Sequence, residues 1–67
     1  MRGGLILYKI FDVESGEFVE WASTETPFVE RESIPLADGM AMVTKVGEPE
    51  VDWENNKLFQ RVEVKKQ

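Results

Sequence analysis

The chain has 67 residues, a net charge of −5, and neither cysteine nor histidine. That length makes a single domain with a small core. The missing residue types exclude disulfides, thiolate or imidazole metal sites, and the Ser-His, Cys-His and zinc-water mechanisms.

Leu5 to Val13 is rich in aliphatic, aromatic and β-branched residues and is apolar on both faces, with Leu5, Leu7 and Phe11 opposite Ile6, Tyr8 and Ile10. This predicts a central strand. Glu14-Ser15-Gly16 reads as a turn, with Gly16 able to take a positive φ. Glu17 to Ser23 alternates, so the first two runs form a hairpin. Lys9 and Asp12 interrupt the first apolar run and no small-residue cleavage site follows, so a signal peptide is not expected and a cytoplasmic location is. No apolar run has membrane-spanning length.

Thr24 to Pro27 is a loop. Over Phe28 to Ile34 two readings compete. Thr26-Pro27 suits the first turn of a helix, but Pro35 follows too soon for a long one and pushes Ile34 toward an extended conformation. A short edge strand bracketed by prolines is the expectation. Leu36-Ala37-Asp38-Gly39 is a turn, Met40 to Val46 a strand, and Gly47 a break. Asn55-Asn56 is a turn and Lys57 to Val64 the last strand. The expected fold is mostly β: about five short strands in a twisted antiparallel sheet, able to curl into a small barrel, with at most one short helix. The core is expected from Leu5, Ile6, Leu7, Ile10, Phe11, Phe18, Trp21, Val43, Val46, Leu58, Phe59 and Val62.

Charge is unevenly distributed. Between Asp12 and Glu54 lie twelve of the thirteen acids and only Arg31 and Lys45 as bases, a net −10; the two ends carry +5. An acidic surface repels nucleic acid and attracts basic surfaces, although acidity also serves solubility alone. From Glu48 to Glu54 every second residue is acidic, with Pro49, Val51 and Trp53 between them. In an extended segment this gives a row of carboxylates on one face and apolar groups on the other.

This pattern disfavours direct nucleic-acid binding. The aromatics are available, but a basic groove has no source in the acidic middle, and the rings are expected in the core. Calcium binding is disfavoured too, because extended alternation spreads the oxygens apart. With thirteen acids, a pair of carboxylates at some useful distance carries no signal for acid–base catalysis. Composition argues against catalysis, needs no metal or cofactor, and points to a protein that binds a protein.

Phe28-Val29-Glu30-Arg31-Glu32-Ser33-Ile34 resembles the signature strand of the phage-type uracil-DNA glycosylase inhibitors, small acidic DNA mimics with a Glu-Ser-Ile motif at the end of an exposed strand. The resemblance implies a non-catalytic inhibitor whose strand enters the enzyme's DNA-binding groove while an apolar pocket sequesters its intercalating loop. It implies that Glu32 stands in for a phosphate, Ser33 hydrogen-bonds beside it and Ile34 anchors the strand by packing. Glu30 lies two residues upstream, on the same face in an extended segment, as a supporting charge. In this chain Pro35 directly follows the motif and no helix precedes it. A pocket would have to come from Met40 and Met42, which share a face of the next strand and whose flexible thioethers adapt to apolar guests. The expected partner is uracil-DNA glycosylase, with no direct contact to nucleic acid or membrane, and the expected state is a monomer or homodimer. A second reading is a small viral structural or assembly protein that associates through a sheet edge or Trp53; a small enzyme is a distant third.

Overall fold

A computed structural model describes residues 4–67. It contains five strands: β1 (Ile6–Asp12), β2 (Phe18–Thr24), β3 (Ser33–Leu36), β4 (Gly39–Asp52) and β5 (Lys57–Lys66). No helix occurs among the described residues. All five join one sheet in the order β2-β1-β5-β4-β3. Three neighbouring pairs are antiparallel, but β1 and β5 are parallel, from Tyr8 opposite Gln60 to Asp12 opposite Val64. The expected purely antiparallel sheet is thus a mixed one. The two-faced apolar character of β1 reflects cover on both faces, Tyr8 and Ile10 by the interior and Phe11 by the outer aromatic side chains.

The sheet curls toward a barrel. Tyr8, Ile10, Ile34, Ala41, Val43, Val62 and Val64 fill its interior, with Phe28, Leu36 and Val46 packed against them. The free edges, β2 and β3, approach each other at a seam, where the Glu20 carboxylate accepts a hydrogen bond from the Ala37 N–H at 3.0 Å. Val19 is the extra residue of a bulge opposite Ile10 and Phe11, which bends β2 around the interior.

Two segments differ from the sequence reading. Residues 28–32 are not strand. Arg31 has φ 73°, which ends the extended run, and Val29 to Glu32 close a turn through the Glu32 N–H to the Val29 carbonyl at 3.3 Å. A positive φ at the third position is the type II pattern, usually served by glycine. The strand begins at Ser33 and runs through Pro35, which an edge position tolerates. Gly47, in contrast, bends β4 without ending it. The register shifts between Val46 and Pro49, and a Cβ at Gly47 would lie 3.3 Å from the Arg61 carbonyl oxygen. The Gly47 carbonyl accepts from the Gln60 side-chain amide at 3.0 Å. Glycine lets the two backbones come this close, and β4 runs on to Asp52, 14 residues in all.

The expected core is also corrected. Ile10, Val43, Phe59 and Val62 are buried, but Leu5, Phe18, Trp21 and Leu58 are exposed. Strand alternation puts Phe11, Phe18, Trp21 and Phe59 on the outer face, while Tyr8 points inward.

Candidate functional site

The far half of β4 pairs with the start of β5 as an arm. Pro49 lies opposite Gln60, Glu50 opposite Phe59, Val51 opposite Leu58 and Asp52 opposite Lys57. Alternation sends Glu50 and Asp52 to the outer face and Pro49 and Val51 to the other. Glu48 precedes them within the bulge and is exposed; Glu54 follows in the turn and is exposed as well. Four carboxylates therefore crowd one arm, although the regular row is limited to Glu50 and Asp52.

Their engagements differ. Glu50 pairs with the Arg61 guanidinium at 3.2 Å. Asp52 holds the turn: its carboxylate accepts from the Glu54 N–H at 3.1 Å, the Asn55 N–H at 3.3 Å and the Asn55 side-chain amide at 2.9 Å. The Asn55 side-chain bond is the main cause holding the Asp52 carboxyl below its ordinary value of 3.8; desolvation opposes it, and the two backbone donors and the positive charge of Lys9 assist it. Glu48 makes no ion pair among the described residues.

The apolar side of the arm borders a mainly apolar recess of about 220 Å³ lined by Leu5, Ile6, Leu7, Pro49, Leu58 and Phe59, with Gln60 as its polar member. An apolar cavity of about 150 Å³ already accepts a benzene ring, so this one has room for an aliphatic side chain. Leu5 and Leu58 at its rim are open to solvent.

The residues singled out by resemblance divide into three groups. Ser33, Met40 and Met42 do meet: Ser33 is opposite Met42, and Met40 opposite Pro35, on the outer face of the β3–β4 hairpin. Glu30 is exposed at the tip of the adjoining turn. Glu32 is only half-exposed, and its carboxylate accepts from the Val29 N–H at 2.9 Å, so it caps its own turn. Ile34 is 3% exposed and belongs to the core. Its packing anchors β3 to its own barrel, and the side chain is withheld from any partner. Met40 and Met42 lie about ten and eight residues from Glu50 along β4, or roughly 25–35 Å of strand. They do not line the recess beside the acidic arm.

One constellation was missed. On the outer face the Lys9 ammonium lies 5.6 Å from the ring centre of Phe11, 5.8 Å from Phe18, 5.4 Å from Trp21 and 5.7 Å from Phe59. The rings meet edge to face around it, Phe11 on Phe18, Phe18 on Trp21 and Trp21 on Phe59. The Arg61 guanidinium sits 5.2 Å from the centre of Phe11. Attraction between a cation and ring faces accounts for the arrangement. Counting back across the Glu14-Ser15-Gly16 turn sets Lys9 opposite Trp21, so part of this face was available from hairpin register alone.

Compared with known proteins, the chain matches no family pattern, no curated protein and no solved structure.

Proposed function

We propose that this protein is a non-catalytic inhibitor of a DNA-binding enzyme and works by imitating DNA. The Glu32-Ser33-Ile34 resemblance directs the proposal to uracil-DNA glycosylase. The observation that carries it is the arm, with Glu48, Glu50, Asp52 and Glu54 clustered along it and an apolar recess on its other side. A DNA-handling enzyme presents a basic groove and, where it distorts the duplex, an apolar wedge. The carboxylates would take the groove's cations in charge-assisted contacts, and the recess would take the wedge. This moves the main contact from β3 to the β4–β5 arm, because Ile34 and the Glu32 carboxylate are committed to their own fold. Glu30, Ser33, Met40 and Met42 remain as a secondary surface.

The test is a uracil-excision assay with a bacterial glycosylase and uracil-containing DNA. Stoichiometric arrest of cleavage is expected. Unchanged cleavage at large molar excess rejects the proposal.

A second reading, a self-associating assembly protein, is favoured by Trp53, which is 83% exposed at the arm's tip.

A further inference from the structure

The tip of the arm and the outer aromatic face are complementary. We infer that the face around Lys9 is a docking surface for the arm tip, residues 53–54, of a second copy of this chain. The contact would put the Trp53 indole against Phe18 and Trp21 and a tip carboxylate on the Lys9 ammonium.

The first support is that the face is unpartnered within the protomer. Trp21 is 42% and Phe18 47% exposed, and Lys9 makes no ion pair among the described residues. The Lys9 ammonium, ringed by aromatic side chains, has no anion in contact with it, and its own Asp52 acts on it only from beyond ion-pair distance. The second support is that the tip is built rather than frayed. Three hydrogen bonds converge on Asp52, and Asn56 holds a left-handed φ of 54°. This ordered turn displays a tryptophan with a carboxylate on each side, Asp52 and Glu54. An exposed aromatic between acids fits a partly exposed cation among aromatics, and Trp is enriched where truncation costs most at interfaces. Two copies joined face to face would instead bring Lys9 against Lys9, which charge repulsion opposes. One tip and one face per chain allow either a closed pair or a head-to-tail series.

This inference rests on the self-association reading and draws on a carboxylate that the inhibitor proposal gives to an enzyme; its experiment contains no enzyme, so the two fail separately. Mass in solution is measured across concentrations by sedimentation or light scattering for the wild type, Trp53→Ala and Trp21→Ala, with far-ultraviolet circular dichroism confirming that each folds. The wild type is expected to associate, and each variant to weaken association by at least ~10-fold. An equimolar mixture of the two variants should recover a 1:1 dimer and nothing larger, since Trp53→Ala keeps an intact face and Trp21→Ala an intact tip. A wild type that stays monomeric to about millimolar overturns the inference. So does Trp53→Ala associating as the wild type does. A labelled oligothymidylate is titrated in parallel: binding that needs Trp21 and ignores Trp53 would reassign the face to single-stranded nucleic acid and equally overturn the inference.

Discussion

The hydroxyl of Tyr8 accepts a hydrogen bond from the Phe28 backbone N–H at 3.1 Å, and the two rings stack with centres 4.4 Å apart. A buried residue of β1 thereby fastens the loop that joins β2 to β3. Tyr8→Phe keeps the stacking and removes the acceptor, leaving a part-buried N–H unmet. The expected loss is about 1 kcal/mol, read from urea denaturation at unchanged slope. An unchanged midpoint would show that water replaces the hydroxyl.

Ile34 and Glu30 lie four residues apart with opposite roles. Ile34→Ala empties a core position and should cost about 2–5 kcal/mol, a large share of what a domain of this size holds. Glu30→Ala at the exposed turn should stay within about 0.5 kcal/mol. Thermal or urea unfolding separates them. Equal, small effects would mean that Ile34 is not a core residue.

Arg31 adopts a left-handed conformation with an ordinary side chain. Glycine there removes a penalty of about 1–2 kcal/mol but adds about 0.5–1 kcal/mol of chain entropy to lose on folding. Arg31→Gly should therefore gain roughly 0.5–1 kcal/mol, and Arg31→Val should lose stability. The pair of unfolding midpoints checks the sign.

Much of the fold was legible in the chain. The β1–β2 hairpin, the turn before Gly39 and the last strand follow from alternation and turn residues, because these signals are local. Residues 28–32 were not legible, since a positive φ at an arginine leaves no compositional trace. Gly47 was read as a stop and is a close backbone approach, which depends on Arg61 of another strand. The parallel neighbour of β1 is likewise invisible locally. For the site, alternation divided each strand into two faces without saying which face turns inward. Phe18 and Trp21 of the outer cluster were accordingly assigned to the core, while Ile34 was given to a partner on the resemblance alone.

The arm tip should respond to acid. Hydrogen bonding, chiefly from Asn55, depresses the Asp52 pKa in the folded chain. Its contribution is therefore complete above the ordinary value of 3.8 and fades as pH falls through the lower folded value. Protection of the Glu54 and Asn55 amides, taken relative to intrinsic exchange at each pH, should fall across that acidic window and hold steady above it. An NMR titration should find Asn55→Ala moving the Asp52 midpoint back toward the ordinary value.

Glu48 tests the proposed role of the arm's charge without disturbing the fold, having no intramolecular ion pair among the described residues. Glu48→Lys should leave stability within about 0.5 kcal/mol. It should slow association with a basic-grooved enzyme by roughly tenfold at low salt and leave dissociation nearly unchanged. Stopped-flow kinetics at two ionic strengths make the comparison. An effect confined to dissociation would argue against steering.

The position of β5 between β1 and β4 has a further consequence, for biosynthesis. As the chain leaves the ribosome, the β1–β2 hairpin emerges first, and the edge that β5 will cover stays bare for roughly forty more residues, or several seconds at about 5–20 residues per second. During that interval the nascent ribbon shows unsatisfied amides and a naked Ile10 to its surroundings. Assembly is thus deferred until β5 has been made, and a message cut short before Val62 and Val64 would yield a product with no means of sealing its own interior.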